Sequence, residues 1–362
     1  MKIAVAPDDV GAVGYYRLLW PGQAVASSRP EWEIRSYRPS SWAVRKAQGK
    51  EGRQGVHVKG LDLSRTDLVV LQRPGTAVEV MMIRALQARG IAVMLDIDDA
   101  LHAIPETNAA YAYWNRDPDR HWSYLDEAAS IADLVTVTTQ ALARRYAPHG
   151  RYELIPNYLP DHGYPRIGRE RQAGEPIIIG WSGAEATHKG DLEVVGGALR
   201  AVLDENPEVY VRIVGDAVWA AQELSVPRNR LIDAGRFPLA DYYTALVGTD
   251  IAVVPLASSA FNRAKSWLKA MEYMGAGAHV IASDTPANND LLCRVGSPDL
   301  ATTEDQWHML LTDAVRDIRD SPGVPIRERK QASVVPLRLL DHADEWADAY
   351  TRAITRRRNL LS

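Results

Sequence analysis

Cysteine, long apolar runs and surplus positive charge are all scarce here. A single cysteine, Cys293, occurs in 362 residues. One thiol cannot build a disulfide framework or a cysteine-based zinc site, and a reducing cytoplasm suits such a chain. No apolar run approaches the roughly 20 residues of a membrane helix, so membrane insertion is not expected. The opening stretch MKIAVAPDDVG reaches Asp8 and Asp9 too soon for a secretory signal peptide, and the expected location is cytoplasmic. Lys and Arg number 42 against 46 Asp and Glu, a net charge of −4. Proteins that chiefly grip nucleic acid are usually basic, so the balance disfavours that partner while leaving a local basic patch open.

What is present is ordinary globular material, 46% hydrophobic and 24% charged. At on the order of 150 residues per domain, the length suggests two domains. Short β-branched runs bounded by Gly, Pro or Asp predict strands at 3–6, 68–71, 91–97, 134–137 and 153–156, then at 177–181, 209–214, 251–255 and 279–282. Amphipathic stretches lie between them. In the helix predicted over 192–205, Leu192, Val195, Leu199, Val202 and Leu203 share a face. This alternation implies an α/β chain with parallel sheets. The strand series pauses in PDHGYPRIGRERQAGEP, at 160–176, which predicts an interdomain linker. The tail, 341–361, predicts a helix with Trp346, Ala349, Tyr350, Ala353 and Ile354 as its apolar stripe and Arg356, Arg357 and Arg358 near its negative end.

Ligands of open α/β sheets bind beyond the carboxyl ends of the strands, so the loops after strands carry the candidate chemistry. PDDVGAVGYYRLLWP follows the first strand, with Gly11 and Gly14 ahead of a helix start; its glycine spacing fits neither the dinucleotide fingerprint nor the Walker pattern. MLDIDDALHAIP brings Asp96, Asp98 and Asp99 to a strand end. Such a set could hold a hard cation, serve acid/base chemistry or cap the next helix. IIIGWSGAEATHKGDLE places Gly180, Gly183, His188 and Lys189 before a helix, an arrangement suited to a diphosphate, although a lone exposed Lys is far commoner. AFNRAKSWLKAMEYMGAGAHVIASD sets Lys265 ahead of a helix that carries Glu272 and ends at Gly275 and Gly277. A carboxylate accepting from vicinal hydroxyls is a usual way to hold a ribose.

That last string resembles the donor-site signature of retaining GT-B glycosyltransferases, in particular glycosyltransferase family 4. There a helix ends in Glu, small residues follow, and a strand reads roughly Val-Ile-Ala-Ser; Glu272, Gly277 and 280–283 match. The family's second Glu, eight positions earlier, is replaced by Ala264. The chain looks like a subgroup, of bacterial and bacteriophage type, in which Asn262, Lys265 and Ser266 occupy this loop. IGWSGAEATHKGDLE is similar to the family segment whose basic residue binds the donor diphosphate, which points to Lys189.

The resemblance implies two Rossmann-like domains with a cleft between them. The first, 1–160, would bind the acceptor and the second, 174–335, the nucleotide sugar, with 336–362 returning as a helix to the first. It implies donor contacts from Gly14, Gly183, His188, Lys189, Asn262, Lys265, Ser266 and Glu272. Catalytic roles would fall to Lys189 and Lys265, which neutralise the departing diphosphate, and to Asp96 or Asp98 near the reacting sugar. It implies retention, no metal and no cofactor. The acceptor stays open among glycan, protein side chain and modified DNA base. The aromatic cluster Tyr111, Tyr113, Trp114, Trp122 and Tyr124 suits stacking and core packing alike. Two rivals remain: a sugar-nucleotide epimerase on the same fold, and a catalytically silent nucleotide-sugar-binding module.

Overall fold

The computed structural model describes residues 1–37, 43–48, 54–59, 65–115, 120–160, 171–321 and 326–362. The strands are β1 (Lys2–Ala6), β2 (Glu33–Ser36), β3 (Ala43–Gln48), β4 (Gln54–Lys59), β5 (Leu68–Gln72), β6 (Ala92–Ile97), β7 (Leu134–Val137) and β8 (Tyr152–Leu154). They continue with β9 (Ile177–Gly183), β10 (Val209–Gly215), β11 (Leu231–Gly235), β12 (Ile251–Val254), β13 (His279–Ser283) and β14 (Leu300–Ala301). Two six-stranded sheets result, ordered β2-β1-β5-β6-β7-β8 and β11-β10-β9-β12-β13-β14, with β3 and β4 pairing separately. Every pairing within the two large sheets is parallel, which requires crossovers and explains the helices between strands. The chain is α/β, as its alternation predicts. The hairpin β3–β4 and the edge strands β2, β11 and β14 are additions to the sequence reading.

Strand order reverses between β1 and β5 in the first sheet and between β9 and β12 in the second. A doubly wound sheet leaves its ligand crevice at such a reversal. The loops after β1, β5, β9 and β12 therefore line the two crevices.

The helix read at 192–205 spans Glu193–Glu205, and Val195, Leu199, Val202 and Leu203 are buried. The tail helix spans Ala343–Asn359, and all five predicted stripe residues are buried. It packs back on the first sheet, where Arg357 pairs with Asp133 at 2.7 Å and Arg358 with Asp67 at 3.3 Å. One apolar cluster joins the halves. Tyr16, Leu18 and Trp20 of the first meet Val214, Tyr243, Trp267 and Met271 of the second, with Trp346 and Tyr350 of the tail among them. Of the stretch read as a linker, 161–170 lies outside the described residues; Arg171 is buried and bonded to the carbonyls of Pro176 and Ile318 in the second half.

Candidate active site

β9 ends at Gly183, where a Cβ would lie 2.6 Å from the Trp181 ring and 2.9 Å from the His188 ring. The absence of a side chain lets both rings close on the backbone. Gly215 at the end of β10 lies so near that its Cβ would come within 1.9 Å of the Gly183 carbonyl oxygen. The short helix Glu185–His188 follows, then Lys189, which is exposed. His188 donates through Nδ1 to Oδ2 of Asp191 at 3.0 Å. Oδ1 of Asp191 accepts from the side-chain amide of Asn262 at 2.7 Å and from the backbone of Ala257 at 2.9 Å. Burial pushes the His188 imidazole down to about 4, with Lys269 and Lys265 adding to the effect and Asp191 opposing it.

Lys265 is half-buried, its Nζ 4.5 Å from the centre of the Phe261 ring. It lies close enough to Asp99 of the first half to be the main counterweight to burial, which raises that carboxyl. Lys269 opens the helix Leu268–Gly275; its Nζ donates to the Ser182 carbonyl and lies 5.8 Å from the centre of the Trp181 ring. Burial brings the Lys269 ammonium down to about 8, against the pull of Glu272. Glu272, one turn on, is 6% exposed. Its Oε1 accepts from Tyr16 at 2.7 Å and its Oε2 from Tyr242 at 3.3 Å. Burial raises its carboxyl, while Lys269 and the two tyrosines favour the charged form.

In the first-sheet crevice Asp9 folds the loop after β1, its Oδ1 accepting from Gly11 at 2.9 Å and Gly14 at 3.2 Å. A Cβ on Gly14 would sit 2.1 Å from the Asp9 carbonyl oxygen, so that position is closed to any side chain. Its N–H points to Asp9, not outward. Arg73, at the end of β5, holds the left-handed region at φ 47° and bridges Asp98 at 2.6 Å and Asp99 at 3.2 Å. A non-glycine residue there stores strain of the kind that collects at functional sites. Loss of surrounding water pushes the Asp8 carboxyl up to about 6; Arg73 resists, and Asp9, Glu79 and Asp98 add to the rise.

Two expectations need correction. Asp96 does not face the cleft: it is 0% exposed and pairs with Arg17 at 2.8 Å, while Thr136 donates to it at 2.8 Å. β6 is buried along its whole length, so a carboxylate there needs a buried cation. Arg17 in turn bonds Oδ1 of Asn157 at 3.2 Å, and Asn157 donates to Ser266 at 2.8 Å, so Asp96 reaches the loop after β12 only through two intermediaries. Neither Asp98 nor Asp99 caps the following 3-10 turn, whose capping position is Ala100 without a side-chain bond. Ala264, where the family has Glu, is 5% exposed and packs with Phe261 among the apolar residues of the first half. Among the described residues, no group of three or more His, Cys, Asp or Glu is placed to hold a metal.

The sequence reading missed Asp191, Lys269, Tyr16, Tyr242 and Arg73. Lys269 carries a signal, one turn before Glu272 on the same helix. Tyr16, Tyr242 and Arg73 act through partners distant in sequence, and Asp191 joins the nearby His188 to the distant Asn262.

No protein-family description matches the sequence, and no curated protein does. Solved structures do. The catalytic domain of starch synthase IV from Arabidopsis thaliana, bound to ADP and acarbose, superposes with a TM-score of 0.62 at 13% identity, over 98% of this chain and 99% of that one. A Listeria monocytogenes protein named as a UDP-N-acetylglucosamine 2-epimerase gives 0.53 at 10% identity, over 95% and 94%. TarM of S. aureus, in complex with fondaparinux, alpha-GlcNAc-glycerol and UDP, gives 0.55 at 14% identity over 78% of this chain. The chain spans about half of TarM, 55% of its length.

This chain has the GT-B fold.

In this GT-B chain the crevice loops after β9 and β12 meet loops that follow β6, β7 and β8 of the first half. Thr139 donates to the Ala264 carbonyl at 3.0 Å, and Ala109 to the Ala186 carbonyl at 2.9 Å. Trp267 donates through its indole to the Asn157 carbonyl at 2.9 Å. No helix among the described residues is long and apolar enough to cross a membrane.

Proposed function

We propose that this chain is a glycosyltransferase that takes a sugar from a nucleoside diphosphate donor and passes it to an acceptor held by the first half. The observation that carries the reading is the crevice between β9 and β12. There Lys265 and Lys269 lie near His188, Asn262 is bonded to Asp191 beside it, glycines line the backbone, and Glu272 stands on the adjoining helix; Lys189 follows His188 on the same loop, exposed. Cations and unshielded backbone suit a diphosphate, and a carboxylate suits vicinal ribose hydroxyls.

The roles follow from charge. Lys265 and Lys189 neutralise the diphosphate as it departs, a stabilisation exerted mainly in the transition state. Glu272 accepts from the ribose, exchanging the Tyr16 and Tyr242 hydroxyls for those of the donor. Asp98 and Asp99, which Arg73 holds in the first half, would meet the acceptor. The likeness to family 4 supports retention and a metal-independent, cofactor-free reaction. The negative balance of the first crevice favours an uncharged acceptor over nucleic acid.

The fold shared with an epimerase keeps one rival in view. Incubating the protein with UDP-glucose, ADP-glucose or UDP-N-acetylglucosamine alone, followed by proton NMR, separates them. A transferase leaves the sugar configuration intact and at most releases nucleoside diphosphate, whereas an inverted carbon in a still-intact nucleotide sugar would establish the epimerase. Binding without turnover on any acceptor panel would favour a silent module.

A further inference from the structure

One buried carboxylate in this crevice has no direct part in the donor reading. Asp191 is 4% exposed and stands where the loops after β9 and β12 come together. It receives Nδ1 of His188 from one loop, and the side chain of Asn262 and the backbone of Ala257 from the other. Asn262 also donates to the Ala257 carbonyl at 2.9 Å. A buried carboxylate with three donors is well compensated, and it fixes those donors in return. With Nδ1–H held by Asp191, Nε2 is the ring atom left for a ligand.

We propose that Asp191 is a positioning residue of the donor site, which orients His188 so that Nε2 meets the diphosphate of a nucleotide sugar and holds Asn262 at the same edge. The inference rests on the donor reading above. Burial, Lys269 and Lys265 oppose charge on the ring while Asp191 favours it, which holds the imidazole at about 4. A diphosphate reverses that balance by bringing negative charge to Nε2. The ring then takes up one proton from solvent on binding and donates from both nitrogens, to Asp191 and to the ligand. Its value of about 4 in the free protein rises in the complex. Binding is therefore tightest at low pH and weakens as pH climbs through the value in the complex.

The test is calorimetric binding of UDP-glucose and ADP-glucose, whose esterified phosphates keep a constant charge between about pH 5 and 8, the range in which histidine switches. The full chain is compared with Asp191→Asn, His188→Asn and the double variant. His188→Asn keeps a donor toward Asp191 and removes Nε2. The native protein is expected to bind about tenfold more tightly at the acid end, and each single variant to lose that slope along with about tenfold in affinity there. The double variant is expected to fall within about twofold of the weaker single one, because the residues act as one unit. A purely structural Asp191 would lower affinity or melting temperature and leave the slope. Should the native protein bind while the slope survives in Asp191→Asn, or the losses multiply, the inference fails and the donor reading stands. Should the native protein bind neither compound at any pH, the donor reading falls and takes the inference with it. If Asp191→Asn does not fold, His188→Asn decides: a native slope in that variant overturns the proposal, and its loss supports it.

Discussion

The Tyr16 hydroxyl donates to Oε1 of Glu272 at 2.7 Å, across the junction of the two halves. The carboxylate assigned to the donor ribose is thus held partly by a side chain of the opposite half and partly by Tyr242 of its own. Tyr16 sits in the π-helical turn Tyr15–Leu19, a local distortion of the first helix that is common at functional sites. Two charge-assisted bonds are at stake at Glu272, each about 1.5–3 kcal/mol. Glu272→Gln is expected to weaken UDP-glucose or ADP-glucose binding about tenfold or more, at about 1.4 kcal/mol per decade. A 2′-deoxyribose donor should bind weakly to the native protein and lose little more in the variant. Equal losses for both donors, measured by calorimetry, would remove the ribose assignment.

Lys265 and Lys189 differ in setting, and their variants should differ too. Lys265 is half-buried among Phe261 and Asp99, whereas Lys189 is exposed. Lys265→Ala is expected to cost more affinity for nucleoside diphosphate than Lys189→Ala. The Lys189→Ala loss should shrink at about 1 M salt, where the screening length is about 3 Å. Fluorescence or calorimetric titration at two ionic strengths reads both; unchanged affinity in both variants would contradict the diphosphate assignment.

Much of the architecture is legible in the sequence because the central parallel strands are buried on both faces and read as near-continuous apolar runs, as residues 68–71 of β5 and 92–95 of β6 do. Edge strands lack that signature. β2 is Glu-Ile-Arg-Ser and β11 is Leu-Ile-Asp-Ala-Gly, polar and half-exposed, and they become strands through pairing with β1 and β10. The site divides in the same way. Lys189, Lys265 and Glu272 stand in strings that follow strands, so position announces them. Asp191 looks like any acid near a helix start, and its part emerges only when Asn262 is brought to it from the far loop. Asp96, Asp98 and Asp99 are equivalent on paper; Arg17 and Arg73 divide them into one buried structural pair and two cleft-side acids.

Both nitrogens of His342 face acceptors, Oε1 of Glu345 at 2.8 Å and the Pro336 carbonyl at 2.8 Å, and only the imidazolium donates to both. The Glu345 hydrogen bond holds this ring above its ordinary range. The sign follows from proton linkage: stability from this clamp is complete below the unfolded value of about 6.5 and is lost as pH rises through the higher folded value. His342→Ala should therefore cost about 1 kcal/mol near pH 6 and clearly less near pH 8.5, by urea denaturation. A cost that is flat with pH would show that the ring packs on Tyr158 without titrating.

Turnover is expected to survive chelation, since the cations proposed to meet the diphosphate are side chains. Transfer assays in excess EDTA check this. Complete loss restored by magnesium or manganese would assign a metal to the acids around Arg73.

The central claim is that a nucleotide sugar occupies the crevice between β9 and β12, and thermal unfolding with UDP-glucose, ADP-glucose and related donors tests it most directly. At 100 times its Kd a true donor should stabilise the native chain by about 2.7 kcal/mol, visible as a rise in Tm of several degrees. The same donor should shift Lys265→Ala and Glu272→Gln much less. A native Tm that no nucleotide sugar moves, or one that moves equally in both variants, would contradict the account.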